Sequence, residues 1–238
     1  MTVSEALESN SPGPSAPRRR SNRVGNRERI IEAAIELMNV RGNEIGTSQI
    51  AEHLGISPGN LYYHFSNKQA IVHEILSRLQ GELRQTLALD PVEIVDEGRL
   101  VGYYASGAMV LWRYRFMVSS ALELTSGNTE LEREYRDFTI ASMDWIHRII
   151  RNVIKHHAGA VAASPRDCKN LAENMWVLWN GWPRHVEHYR VEASVSPAAI
   201  AHGLEQIAMT LAPYVDQGFH SRVKRGLHRF VEGLDRGL

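Results

Sequence analysis

The sequence predicts an all-α protein, and three observations lead there. Apolar residues recur at three- and four-residue spacing along most of the chain. No alternating strand pattern interrupts them, and glycine, proline and small polar residues separate the segments. A chain of 238 residues has room for one small domain and one larger one. Its 43% hydrophobic and 23% charged residues are ordinary for a globular protein, and no internal repeat is visible.

Residues 2 to 17 are rich in Ser, Pro, Glu and Asn, so residues 1 to 24 read as a disordered arm. Lys plus Arg equals Asp plus Glu over the whole chain, and the overall charge therefore says nothing about partners. The local distribution says more. Arg18, Arg19, Arg20, Arg23, Arg27 and Arg29 are opposed only by Glu28. Such a run suits a solvated tail or a phosphate contact equally well. A first helix is expected from about Arg27 to Arg41, with Ile30, Ile31, Ala34, Leu37 and Met38 on one face and Gly42 as its stop.

Residues 47 to 68 carry the most specific pattern. Thr47 is placed to cap a helix whose apolar stripe is Ile50, Ala51 and Leu54, and Gly55 follows where a left-handed C′ residue is needed. Ser57 caps the next helix, Pro58 takes its first position, and Leu61 and Phe65 supply its inward face. This is the helix-turn-helix pattern, whose second helix lies in the DNA major groove. Pro58, Gly59 and Asn60 then open the reading helix, where an Asn can pair with adenine and the free amides favour phosphate. Tyr62 and Tyr63 are consecutive and point about 100° apart, so they cannot both be core. Ser66 and Gln69 suggest a capping box for a further helix bearing Ile71, Ile75, Leu79 and Leu83, running to Asp90-Pro91. That helix is long enough to leave the first domain and enter the second.

Thr47, Ile50, Ala51, the Gly55-Ile56-Ser57 turn, Leu61-Tyr62-Tyr63-His64-Phe65 and Asn67-Lys68 together resemble the TetR family of bacterial transcriptional regulators. The resemblance spans roughly residues 27 to 78. It implies an N-terminal three-helix helix-turn-helix domain at 25 to 75 and a larger helical effector-binding and dimerisation domain at 76 to 238. It also implies a DNA-facing set of Thr47, Ser48, Ser57, Pro58, Gly59, Asn60, Tyr62, Tyr63 and His64, with Lys68 as a phosphate clamp. Partners implied are double-stranded operator DNA, a small-molecule effector and a second copy of the chain.

Beyond Pro91 only helical periods follow. Residues 99 to 124 are apolar nearly all round, as in one buried helix. Leu131, Tyr135, Phe138, Trp145, Ile149 and Val153 stripe a long amphipathic helix ending near Gly159. Pro165 precedes another, with Leu171, Met175, Leu178 and Trp182 on one line and Ala172, Trp176 and Trp179 beside it. Ser196 and Pro197 start the next, carrying Ile200, Leu204, Ile207, Leu211 and Tyr214. Phe219, Val223, Leu227, Phe230 and Leu234 mark a last, basic helix without an assigned role. By the resemblance, the helices near 167 to 190 and 196 to 215 pair across a homodimer. The piece Leu111-Trp112-Arg113-Tyr114-Arg115-Phe116, with the acidic-aromatic helix at 130 to 138, looks like one subgroup of the family.

Tyr104, Met109, Trp112, Phe116, Met117, Trp176 and Trp179 are the candidate effector-binding residues. An aromatic and methionine stripe is more often core than pocket, and the family's buried inducer cavity favours the region rather than each residue. A flat or acyl, largely apolar ligand suits such a lining, with Arg113, Arg115 or Tyr104 as polar anchor. His185 and His188, and the pair His156-His157, read as solvated or dipole-compensating rather than as metal ligands, and no cofactor is expected. An enzyme of the di-iron bundle type needs Glu-x-x-His on two helices, and the nearest spacing is a single Asp144-x-x-His147. No nucleotide-binding or serine-hydrolase fingerprint is present. An all-helical adaptor has no use for groove-facing Tyr62, Tyr63 and His64. Cys168 is the single cysteine, and the N-terminus lacks a signal pattern, so a cytoplasmic location is expected.

Overall fold

The computed structural model describes residues 25–89, 93–189 and 197–236. The arm at 1–24, the Asp90-Pro91 stop and the Ser196 cap lie outside the described residues. Among the described residues the chain forms eleven α-helices and no strand, apart from an isolated bridge between Ala158 and Val215.

The N-terminal unit is built as its pattern predicts. Helix α1 (Asn26–Arg41) buries Ile30, Ile31, Ala34, Leu37 and Met38 and ends at Gly42, with φ 75°. Helices α2 (Thr47–Leu54) and α3 (Pro58–His64) pack against it around Ile50, Ala51 and Leu61. Gly55 takes φ 65° and ψ 31° between them, a left-handed conformation in which a side chain is strained. Two caps differ from the sequence reading. Gly46 rather than Thr47 caps α2, and its N–H donates to Gln49 Oε1 at 2.8 Å. Asn67 rather than Ser66 caps α4 (Lys68–Thr86), its Oδ1 accepting from the Ala70 N–H at 2.9 Å. Asn ranks with Ser as a cap, and sequence spacing alone cannot choose between neighbouring candidates. Along α4, Ile71, Ile75, Leu79 and Leu83 are all buried, each worth ~1.5–3 kcal/mol in removed apolar surface.

The expected single helix over 99 to 124 is three helices: α5 (Glu97–Arg113), α6 (Arg115–Ser119) and α7 (Ala121–Thr125). The breaks at Tyr114 and Ser120 leave helical dihedrals at φ −109° and −123°. A side chain from α1 compensates the first. Asn39 Nδ2 donates to the Arg113 carbonyl at 2.7 Å, and Asn39 Oδ1 accepts from the Phe116 N–H at 3.1 Å. Helix α8 (Thr129–His156) packs on α9 (Pro165–Tyr189), and α10 (Pro197–Leu211) packs between α9 and α11 (Gln217–Arg236). Helix α11 lies along α5, with Phe219, Val223 and Leu227 buried. The final basic helix is thus part of the larger unit's core.

The end of α8 is fastened to the start of α11 by two backbone bonds and by the His157 ring stacked on Phe219 at 4.0 Å. The Gly159 N–H donates to the Tyr214 carbonyl at 2.9 Å, and the Asp216 N–H donates to the His157 carbonyl at 2.9 Å. A Cβ at Gly159 would stand 2.4 Å from the Val215 oxygen, so this crossing admits only glycine. Gly159→Ala is therefore expected to cost ~1–3 kcal/mol through forced backbone displacement. A melting temperature equal to that of the parent would show that the crossing yields freely.

Candidate nucleic-acid interface and effector cavity

Helix α3 is a short platform held from beneath. Ser57 Oγ accepts from the Asn60 N–H at 3.2 Å, Pro58 occupies the first turn, and Leu61 and Phe65 are buried. With that side anchored, Ser57, Pro58, Gly59, Asn60, Tyr62 and Tyr63 are all exposed, and His64 is half-buried. Tyr62 and Tyr63 do not behave alike. The Tyr62 hydroxyl is 3.1 Å from Thr47 Oγ1, tying α3 to the first turn of α2. Tyr63 is 85% exposed, with its ring edge-on to His64 at 5.1 Å between centroids. Asn60 Oδ1 accepts from Asn26 Nδ2 at 3.3 Å, which orients the Asn60 amide from the start of α1. Thr47 is half-buried and Ser48 is exposed on the neighbouring helix, with Thr47 joined to α3 through the Tyr62 hydroxyl.

Three cations of this region are committed to the fold. Arg27 donates to Glu74 at 2.6 Å and lies over the Phe65 ring, 4.4 Å from its centroid. Arg78 grips Glu28 with two bonds of 2.6 Å, and its guanidinium holds the Glu28 carboxyl below the ordinary carboxylate range. Lys68 Nζ donates to the Asn43 carbonyl in the loop after α1, and burial lowers its pKa. The lysine expected to reach phosphate thus closes the loop beneath α2 in this conformation. Arg27 likewise leaves the basic run to become a strut.

The larger unit encloses a cavity among α5, α8, α9 and α10. Its wall includes Leu100 and Tyr104 of α5, Ile146 and Ile149 of α8, Met175 and Trp179 of α9, and Ile207 of α10. Every one of these side chains is buried, and the enclosed space is only about 20 Å³. Of the seven effector candidates read from the sequence, Tyr104 and Trp179 line this cavity. The structure does not bring the other five to it. Met109 is 37% exposed, Met117 is buried in the core, and Trp112 is half-buried beneath the Arg115 guanidinium at 3.9 Å. Trp176 packs edge-on to Phe138. Phe116 borders a separate open cleft of about 480 Å³ beside Asn39 and Arg184. One residue of a buried helix faces about a hundred degrees from the next, so a shared stripe divides between core, cavity and surface. The proposed anchors divide too. Arg113 pairs with Glu32 at 2.7 Å, while Tyr104 lines the cavity and burial pushes the pKa of its hydroxyl up.

A polar seam links the two units. Besides the Asn39 bridge, Arg113 reaches Glu32 of α1, and within the larger unit the Tyr114 hydroxyl donates to Glu82 on the C-terminal half of α4 at 2.5 Å. On the far side His73 of α4 lies 3.0 Å from Glu134 of α8. The sequence reading missed Asn39, whose partners lie 74 and 77 residues away. Its one signal was a polar side chain between Met38 and Val40 on a mostly buried helix.

Two family models match the chain: bacterial regulatory proteins of the tetR family over residues 30–75, and the TetR bacterial transcriptional repressor domain over residues 78–223. The tetracycline repressor protein class D of Escherichia coli is 43% identical over 58 residues, 22% of this chain and 27% of that protein. The chain thus spans about a quarter of the length of the curated relatives it matches. Similarity of fold reaches much further. A TetR-family transcriptional regulator from Marinobacter aquaeolei VT8 superposes with a TM-score of 0.78 at 25% identity, over 87% of this chain and 99% of its own. A transcriptional regulator from Saccharomonospora viridis, solved with choline, gives 0.62 at 22% identity, over 81% and 98%. With both halves matched and the reading helix in place, the chain belongs to the TetR family of bacterial transcriptional regulators.

Proposed function

We propose that the protein is a homodimeric, ligand-responsive repressor, working in the cytoplasm on a pseudo-palindromic operator. Residues 25–75 form the reading domain and residues 76–238 the effector and dimerisation domain. The observation that carries this reading is the split of α3 into a buried side, Leu61 with Phe65, and an open side bearing Pro58, Asn60 and Tyr63. The open residues meet base edges and phosphates of the major groove, and two copies of α3 sit about one DNA turn apart. Lys68 joins the phosphate contacts by leaving the Asn43 carbonyl when DNA is present. Dimerisation uses α9 and α10, on which Val177 and Met209 remain 62% and 59% exposed despite their apolar side chains. A small, largely apolar effector enters the cavity beside Tyr104 and Trp179 and favours a dimer with the wrong spacing of reading helices.

The test begins with footprinting of the purified protein on DNA from its own gene neighbourhood. A protected, two-fold symmetric site is expected, its half-sites one turn apart. Absence of any protected site there and in a random-sequence selection would overturn the reading. Apolar metabolites are then screened by thermal shift with and without operator. Linkage requires an effector that weakens DNA binding to be weakened by DNA by the same factor. A ligand indifferent to saturating operator is no inducer.

A further inference from the structure

Two side chains of the cavity wall each carry a buried polar atom that nothing among the described residues satisfies. The Tyr104 hydroxyl and the Trp179 Nε1 are both fully shielded, and neither has a hydrogen-bond partner among the described residues. Both side chains belong to the wall of the same cavity, where every other lining side chain is aliphatic except Tyr103 and Met175. The Tyr103 hydroxyl is already committed, donating to the Ala88 carbonyl at 3.1 Å. Buried polar atoms are nearly always paired, so two orphans on one apolar wall mark a demand for a partner from outside the chain.

The chemistry of that partner follows from the donor inventory. An indole N–H only donates, and a phenol hydroxyl donates with equal ease. An oxygen acceptor answers both, and a carbonyl oxygen has two lone pairs to offer. Charge is excluded on the same wall. Among the described residues, no lysine, arginine, histidine, aspartate or glutamate lines the cavity. Of the arginines adjacent in sequence to lining residues, Arg99 is engaged with Glu93 and with the Tyr103 hydroxyl, and Arg148 with Asp144. A carboxylate or ammonium entering here would lose its hydration without a counter-charge. We propose that the effector cavity is specific for an uncharged, mostly apolar molecule whose carbonyl-type oxygen accepts hydrogen bonds from Tyr104 and Trp179. This deepens the effector reading above and rests on it for location.

Size enters through Trp179. The enclosed space of about 20 Å³ holds little more than one water, so the ligand gains its room by displacing side chains. Trp179 is the wall side chain that this proposal assigns to move. Its ring edge lies against Gly107, where a Cβ would come within 2.8 Å of Cη2. Gly107 presents no side chain at that contact, so the indole has none to displace there when it yields to a ligand.

The experiment uses the full chain and four probes of matched bulk: acetophenone, ethylbenzene, benzoate and benzylammonium. Calorimetric titration is expected to show acetophenone binding roughly tenfold more tightly than ethylbenzene, the increment of one or two neutral hydrogen bonds, with the two ions weakest. Tyr104→Phe removes one unpaired hydroxyl and keeps the ring, so it folds. It is expected to erase most of the preference for acetophenone while leaving ethylbenzene affinity unchanged. Trp179→Phe provides the same test for the second donor. Equal binding of ketone and hydrocarbon, tightest binding by either ion, no binding by any probe, or a preference that survives in both variants would each overturn the proposal. Operator affinity is measured alongside. If acetophenone binds in a Tyr104-dependent way without releasing operator, the ligand class stands and the effector reading falls. If ethylbenzene releases operator as effectively as acetophenone, the effector reading stands and the ligand class falls.

Discussion

Replacing Tyr63 and His64 together by alanine is expected to abolish tight operator binding in a protein that stays folded. On the proposed reading each side chain contacts the operator, and loss of one such contact costs ~1–3 kcal/mol. Tyr63 is 85% exposed and touches His64 edge-on, so neither substitution opens a cavity in the core formed by Leu61 and Phe65. Stability and helicity therefore remain at the parent level while affinity drops. The pair also has an internal contrast. Tyr62 is tethered through its hydroxyl to Thr47 Oγ1, so Tyr62→Phe loosens the approach of α3 to α2 and is expected to weaken binding less than Tyr63→Ala. Band-shift titration against the footprinted site measures all three. Parent-level affinity in the double variant, with unchanged circular dichroism, would move the DNA contact off α3 altogether.

The ease of reading α3 and the difficulty of reading the cavity have one physical origin. The reading helix is specified locally. A cap, a proline, a left-handed glycine and two inward apolar residues all act within one or two turns, and each leaves its mark on adjacent letters. Gly55, Ser57, Pro58, Leu61 and Phe65 take the places their spacing assigns. Thr47 and Ser66 were misplaced as caps by only one residue, because neighbouring polar residues compete for the same amides. The cavity is set by side chains from four helices spread between Leu100 and Leu211, with Leu87 beyond the end of α4. Periodicity places Met109, Trp112, Phe116 and Met117 on one apolar helix, where the structure divides them between α5 and α6, and it does not tell which faces meet α8, α9 or α10. The break at Tyr114 makes this worse, since it turns Phe116 away from the direction that a continuous helix gives it. That break is supported by Asn39 from another unit, a contact that no local pattern announces.

The same Asn39 is expected to govern how strongly ligand and DNA sense each other. Its amide spans the point where α5 becomes α6, donating to the Arg113 carbonyl and accepting from the Phe116 N–H, while its backbone belongs to α1. A shift of α5 caused by a ligand beside Tyr104 is thereby passed to the helix on which α2 and α3 rest. The flanking contacts, Arg113 with Glu32 and Tyr114 with Glu82, act in parallel but sit nearer to solvent or on the longer α4 lever. Asn39→Ala removes both hydrogen bonds, each worth ~0.5–1.5 kcal/mol, and leaves two backbone groups to find water. The expected result is a modestly less stable protein that binds operator alone and effector alone with near-parent affinity. The ratio of operator affinities with and without saturating effector, commonly 5–150-fold in coupled systems, is expected to shrink several-fold. Val40→Ala serves as the control, because Val40 is the next residue on α1 and is 73% exposed. If Asn39→Ala keeps the parent ratio, the two units communicate through α4 and the His73–Glu134 contact instead. Should both substitutions lower the ratio equally, the effect belongs to α1 as a whole and not to the bridge.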